Sequence, residues 1–183
     1  SLFRPLLVAS DMQLLRLFME GLDTVSYWYR SGRFIPGILP IPTHALASSS
    51  YVDAMSELIL NSRLPVGLVA IGIRSVPDSA TADACKEGLL RLRRLGGMLH
   101  FLNFCGSAEE LHWITDMQLE GVHIDMGTLR EHDLASDALS QLRQSPYSST
   151  QIYAANISLV QDLKNASTLI ADHAYGGLMM APV

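Results

Sequence analysis

The chain has 183 residues and a formal net charge of −5, and 49% of its residues are hydrophobic. This composition excludes a disordered chain and indicates a substantial core. The weakly acidic balance gives no electrostatic signature for binding a nucleic-acid polymer. Two cysteines, Cys85 and Cys105, make neither a disulfide framework nor a zinc site, so we expect a reducing, cytoplasmic compartment. No apolar run is long enough to cross a bilayer and no signal peptide is evident, so we expect no membrane insertion in this segment.

Apolar periodicity and turn residues predict about six strands that alternate with six helices. Continuous apolarity, rather than alternation, is typical of strands buried on both faces of a parallel sheet. Proline at position 40 predicts that the first strand is an edge or ends early. Capping boxes are predicted at Ser10–Gln13, Ser107–Glu110 and Ser158–Gln161. The predicted strands cover residues 38–41, 67–73, 98–104, 121–125, 151–155 and 174–180, and the predicted helices cover residues 10–31, 51–61, 79–95, 107–117, 134–142 and 158–171.

The clearest strand–helix–strand unit covers residues 95–125. Because a parallel α/β protein places its chemistry at the carboxyl ends of its strands, the candidate pocket residues are Asn103, His123 and Asp125. We interpret the other five histidines as structural or solvent-facing. A single aspartate at a strand end does not supply the several carboxylates that metal-assisted phosphodiester hydrolysis requires. The sequence also lacks a phosphate-binding glycine loop and a nucleophile elbow, so we assign no catalytic residue, no metal ligand and no cofactor.

Residues 96–125 resemble a stretch of EAL domains, which hydrolyse cyclic di-GMP. In that family the stretch passes through two aspartates and Phe-Gly-Thr-Gly to a Lys-Ile-Asp strand. Residues 92–97 resemble the helix end before it, residues 174–183 resemble the closing Gln-Gly-Tyr-x-Phe-x-Arg-Pro segment, and Phe3-Arg-Pro-Leu resembles the Phe-Ile-Pro-Leu after the signature strand. The resemblance runs along essentially the whole chain. It implies an α/β fold, a parallel (β/α) barrel-like EAL fold that is partial, with about six β/α units.

The first two strands of the family, including the Glu-Ala-Leu strand, are missing from this chain. We therefore interpret residues 1–183 as a single degenerate EAL-like domain and as the C-terminal part of a longer protein. The family's metal-binding asparagine and glutamate are matched by Pro40 and Ile71, and its catalytic lysine is matched by His123. Of the acidic positions only Asp125 is kept. The remaining family positions, which include the paired aspartates, two later glutamates, a glutamine and an arginine, are matched by Leu102, Asn103, Ala155, Ser158, Tyr175 and Ala181.

These substitutions remove the oxygen ligands that would hold two divalent ions. The resemblance therefore implies a catalytically inactive domain with a regulatory or protein-interaction role in bacterial cyclic di-GMP signalling. Unpaired sheet edges of a partial barrel predict a protein partner or self-association. Two alternatives stay open. One is a non-catalytic cyclic di-GMP receptor that uses Asn103, His123 and Asp125, and the other is an unrelated α/β enzyme.

Overall fold

A computed structural model describes residues 9–129, 134–144, 149–169 and 171–176. Its six strands follow one another in the order β1-β2-β3-β4-β5-β6, and the strand pairs within each unit are parallel. The class is α/β, as predicted. The elements are α1 (Ala9–Arg30), β1 (Gly37–Ile41), a 3₁₀ helix (Thr43–Ala47), α2 (Ser49–Ser62), β2 (Val69–Ile73), α3 (Ala82–Arg94), β3 (Met98–Phe101), α4 (Ala108–Met117), β4 (Gly121–Asp125), α5 (Met126–Leu129), α6 (Leu134–Gln144), β5 (Gln151–Ala155), α7 (Val160–Thr168) and β6 (His173–Ala174).

The chain divides into two compact units, Ser1–Leu99 and His100–Val183. In the first unit β1 runs parallel to β2, and the register pairs Leu39 with Ile71 and Pro40 with Gly72. Helix α1 packs closely on β1, because a side chain added at Gly21 would collide with Leu39. Since β1 stands at the end of the strand order, the edge position predicted from Pro40 is confirmed.

The second unit has two different faces on its sheet. Side chains of directly paired residues in parallel strands point to the same face. One face carries the buried apolar side chains of Phe101, Val122, Ile124, Ile152 and Ala154. The opposite face carries polar rings, namely those of His100, His123, Tyr153 and His173. The titratable ring side chains of this unit therefore lie on the face of the sheet opposite the apolar one.

Two strands are shorter than the predicted segments. Strand β3 ends at Phe101, because Asn103 takes a left-handed backbone with φ of 57° that no strand can continue through. Strand β2 begins at Val69, after Gly67 with φ of 84°. The predicted final strand begins at His173, and its residues 177–180 lie outside the described part of the chain. The short helix α5 was not predicted.

The helix starts test the predicted capping boxes. The Ser10–Gln13 box is wrong, because α1 begins at Ala9 and Ser10 therefore lies inside the helix. The other two predicted boxes have different outcomes. The Ser107 hydroxyl accepts the N–H of Glu110 at 3.1 Å, and the Glu110 carboxylate accepts the N–H of Ser107 at 3.2 Å, which confirms the Ser107–Glu110 box. The Ser158–Gln161 box is wrong, because Asp162 and not Gln161 accepts the free N–H groups before α7. Asp162 is the third residue of α7, and its short carboxylate reaches back to these N–H groups more directly than the longer side-chain amide of Gln161 does.

Candidate functional site at the strand ends

Asn103 lies in the turn that follows β3. Its side chain is exposed and its carbonyl oxygen accepts the Cys105 thiol at 3.3 Å. The next backbone group anchors this turn, because the Phe104 N–H donates to the His123 carbonyl oxygen at 2.9 Å. The structure therefore fixes the Asn103 turn against β4, the strand that carries the other two predicted site residues, His123 and Asp125.

Asp125 ends β4 and is partly buried. Its Oδ1 atom accepts the N–H of Gly127 at 2.8 Å and faces the Asn156 amide nitrogen at 3.4 Å. The first contact orders the start of α5. This carboxylate therefore has a structural role beside any role toward a ligand.

His123 lies in the middle of β4 and is only 2% exposed. Its Nε2 atom is 2.8 Å from Nδ1 of His100 on β3, and its Nδ1 atom is 3.0 Å from the Tyr175 hydroxyl. Each contact needs one hydrogen donor and one lone pair, so the three groups form one continuous hydrogen-bonded chain. The predicted pocket residue His123 is thus enclosed by protein groups on both ring nitrogens.

Aromatic stacking extends the hydrogen-bonded group of His100, His123 and Tyr175 across the sheet. The Tyr153 ring stacks on His123 with a centroid distance of 4.4 Å and an interplanar angle of 10°. On its other side it stacks on His173 at 4.7 Å. The register explains the row, because His123 pairs with Tyr153 and Tyr153 pairs with His173.

Burial dominates the electrostatics of the two paired histidines. It lowers the pKa of His100 to about 4, although Glu120 acts in the opposite direction. It lowers the pKa of His123 to about 3, with a further contribution from His100. Burial also raises the pKa of Tyr175, supported by the charge of Asp125. At neutral pH the two imidazoles are therefore uncharged and Tyr175 remains a phenol.

The sequence analysis did not single out His100 as a site residue. Its contact with His123 joins positions 23 residues apart, and the cross-strand register that creates it leaves no spacing motif. The alternation within residues 98–101 did place His100 on the face opposite the apolar side chains. Reading that alternation together with the pairing of β3 and β4 would have found it.

The register of β1 with β2 places Pro40 and Ile71, the two first-unit positions matched to the family's metal-binding asparagine and glutamate. Ile71 is fully buried and shares a row with Leu39, whereas Pro40 shares its row with Gly72. Neighbouring positions along a strand point to opposite faces, so Ile71 and Pro40 lie on different faces. Gly72 is therefore the residue beside Pro40, and it too has no oxygen ligand in its side chain.

A cavity of about 510 Å³ opens where β1 and β2 end in the first unit. Arg74 and His44 are its exposed basic groups, and the Thr43 hydroxyl donates to the Ser75 carbonyl oxygen at 2.8 Å. Such a mixture of apolar walls and a few polar groups is typical of a small-molecule site. The lining includes Pro40, Thr43, His44, Arg74, Ser75 and the carboxylate residue Asp78.

Within the described residues, no group of three or more His, Cys, Asp or Glu side chains is arranged to hold a metal ion. A search of the described helices finds none with the length and apolarity needed to span a bilayer.

Solved structures with the same fold are EAL domains. The chain matches the Xanthomonas citri FimX EAL domain, solved in complex with c-diGMP, with a TM-score of 0.77 and 9% identity over 94% of this chain and 69% of that chain. It matches the PaMucR phosphodiesterase, solved as a c-di-GMP complex, with a TM-score of 0.77 and 17% identity over 92% of this chain and 70% of that chain. For the EAL domain of Mycobacterium smegmatis DcpA the TM-score is 0.78 and the identity 14%, over 96% of this chain and 81% of that chain.

The chain therefore has the EAL-domain fold, a parallel α/β fold that the sequence resemblance predicted. It spans only part of these solved chains, so the fold is partial, again as predicted. No protein-family model matches the sequence, and no curated protein is similar to it. The likeness is thus one of structure at low sequence identity.

Proposed function

We propose that this chain is a non-catalytic EAL-fold domain with a regulatory or protein-interaction role in cyclic di-GMP signalling in bacteria. The observation that carries the proposal is the chemistry at the strand ends. The residues at the strand ends are Pro40 and Gly72 in the first unit and Asn103, Asp125 and Ala155 in the second, and of these five Asp125 alone carries a carboxylate. The cytoplasmic compartment expected from the sequence belongs to this proposal.

The EAL fold implies two divalent ions at the strand ends, and the side chains present do not fit them. Hard cations need several oxygen ligands, and Pro40, Gly72 and Ala155 have none in their side chains. The carboxylate of Asp125 is already engaged with the Gly127 N–H. This mismatch supports a domain that does not hydrolyse a phosphodiester.

Exposed apolar side chains support the interaction role. Leu17 is 64% exposed and Phe34 is 71% exposed, although both are large and apolar. Exposed groups of this kind are more frequent where a protein meets a partner than on an isolated surface. The larger set in residues 12–35 comprises Met12, Leu17, Met19, Tyr27, Phe34 and Ile35.

A hydrolysis assay tests the catalytic part of the proposal. The chain is incubated with cyclic di-GMP and either Mg²⁺ or Mn²⁺, and the linear product is measured by chromatography. We expect no product above the protein-free reaction, with an active EAL phosphodiesterase as the positive control. Turnover that is abolished by Asp125→Asn would contradict the proposal, because it would make that carboxylate a working catalytic group.

Sedimentation tests the interaction part with the simplest partner, a second copy of the chain. We expect the mean mass to rise with concentration, and Leu17→Glu with Phe34→Glu to return it to the monomer value. Gln13→Glu with Thr24→Glu, which adds the same two charges at exposed polar positions of α1, is the matched control. A monomer at every concentration would exclude self-association, and the partner would then have to be a different protein.

The cavity at the ends of β1 and β2 favours a second candidate, a non-catalytic cyclic di-GMP receptor. Its exposed Arg74 has the geometry to meet a phosphate, since a guanidinium binds phosphate oxygens in pairs. Calorimetric titration of cyclic di-GMP, with and without Mg²⁺, tests this function. Saturable heat that Arg74→Ala removes and the exposed control Arg33→Ala keeps supports a receptor, and no heat at high micromolar ligand excludes it.

Asn103→Gly in the same titration tests the residue predicted from the sequence. Since Asn103 is exposed and glycine adopts its left-handed backbone without strain, this substitution weakens any complex that the side chain contacts without disturbing the core. His123 is less suited to this test, because its burial couples substitution to folding.

A further inference from the structure

The buried pair His100–His123 connects strands β3 and β4 to Tyr175, which lies near the end of the described part of the chain. Its N···N distance is 2.8 Å, and the second ring nitrogen of His123 reaches the Tyr175 hydroxyl at 3.0 Å. The two imidazoles are 3% and 2% exposed, whereas Tyr175 is 44% exposed. The chain of hydrogen bonds thus runs from the interior of the second unit to its surface.

Tyr175 directly follows the two-residue strand β6, and its backbone carries part of that strand's attachment. Its N–H donates to the Ala154 carbonyl oxygen at 2.9 Å, and its own carbonyl oxygen accepts the Ile157 N–H at 3.1 Å. Because β6 has only two residues, few backbone hydrogen bonds attach it to β5, and its aromatic ring contacts strengthen this attachment. The hydroxyl contact with His123 ties this end of the sheet to the interior.

We propose that the His100–His123 pair is an acid-operated latch, which holds β6 on β5 through Tyr175 and releases it when the pair takes up protons. The proposal is separate from the function proposed above. A first proton is compatible with the hydrogen bonds, because a charged His100 still donates to His123. It does, however, place a charge on rings that are shielded from solvent. A second proton sets two N–H donors against each other and breaks the contact.

Local release is the cheapest way to hydrate these rings. The opposite face of β4 is fixed by Val122 and Ile124, which are at most 1% exposed, whereas β6 offers few contacts. Regions with few buried contacts open at lower free energy than a packed core does. Burial lowers the pKa values of both histidines, so the open form binds protons more strongly than the closed form.

The neighbouring charged groups do not reverse the stronger proton binding of the open form. Glu120 raises the pKa of His100, but burial outweighs it. Asp172, which directly precedes β6, is paired with Arg143 of α6 at 2.6 Å and stays charged in mildly acidic solution. Among the described residues, this face also carries the titratable side chains of Asp125, Tyr153, His173 and Tyr175.

Hydrogen exchange at single amides, corrected for intrinsic rates, tests the latch between pH 7.5 and 4.5. We expect the protection of the Tyr175 and Ile157 amides to fall at least about tenfold on acidification. The Gln151 amide, which donates to the Glu120 carbonyl oxygen, is the internal reference and should keep its protection. Tyr175→Phe removes only the hydroxyl, so it should show low Ile157 protection already at pH 7.5.

His112→Gln is the matched control, because His112 is exposed on α4 and lies outside the hydrogen-bonded chain. It should reproduce the wild-type profile. The latch is wrong if the Ile157 amide keeps its protection at pH 4.5, or if Tyr175→Phe protects it as well as the wild type does. It is also wrong if Gln151 loses protection in parallel, since that describes unfolding of the whole unit.

Discussion

His100 and His123 lie on adjacent strands with ring nitrogens 2.8 Å apart, and neither is more than 3% exposed. Two buried imidazoles in contact are stable only while they are largely uncharged, because a charge in this setting has no water to solvate it. The pair therefore makes the stability of the fold depend on pH.

Acidification should lower the free energy of unfolding. Both histidines have folded-state pKa values below the ordinary value, about 4 and about 3, so the unfolded chain binds more protons. The stabilisation is complete above about pH 6.5 and is lost as the pH falls toward 4, on the order of 1 kcal/mol per pH unit for each imidazole. Urea unfolding at several pH values measures it. His100→Gln should flatten the slope, and His112→Gln should not.

Gly121→Ala should destabilise the second unit. A side chain at this position would come within 2.6 Å of Nδ1 of His100, the atom that meets His123. Overpacking of this kind costs about 1–3 kcal/mol, and here it also disturbs a buried hydrogen bond. Thermal unfolding at pH 7 measures the change. Gly97→Ala is the comparison, since its nearest contact is 3.2 Å away; an equal loss in both variants would argue against a special role for Gly121.

Most of the architecture was predictable from the sequence, because periodicity and turn residues report on local structure. The short helix α5 was missed, since four residues carry too little periodicity. Pairings between strands were not predictable in the same way. The contact of His123 with Tyr175 joins residues 52 positions apart, and the facing of Ile71 depends on the register of β1 with β2. The candidate site residues could thus be proposed as single positions, whereas their contact partners follow only from the three-dimensional structure.

Ser107→Ala should weaken the start of α4. The Ser107 hydroxyl accepts the Glu110 N–H as half of a capping box, and removing such a cap costs about 0.5–2 kcal/mol. Chemical denaturation measures the loss. Ser79→Ala, at an exposed serine outside any helix, should leave stability unchanged.

Asp162→Asn should destabilise the start of α7 more than a surface change of the same kind. The Asp162 carboxylate is fully buried and accepts the N–H groups of Ser158 and Leu159 at 2.9 and 2.8 Å. Replacing a charged acceptor by an amide leaves weaker bonds at a buried site, at a cost of about 1–3 kcal/mol. Asp23→Asn on the exposed side of α1 is the control in the same denaturation experiment. Similar losses for the two variants would show that the buried carboxylate is replaceable.

The stacked row of rings also gives the protein an optical property. Tyr153 lies between the imidazoles of His123 and His173, at centroid distances of 4.4 and 4.7 Å. An imidazole that gains a proton becomes a cation over the face of the phenol ring, and this alters the electronic environment of the chromophore. The near-ultraviolet circular dichroism to which Tyr153 contributes should therefore change when a stacked imidazole becomes charged, and no added dye is needed to follow it.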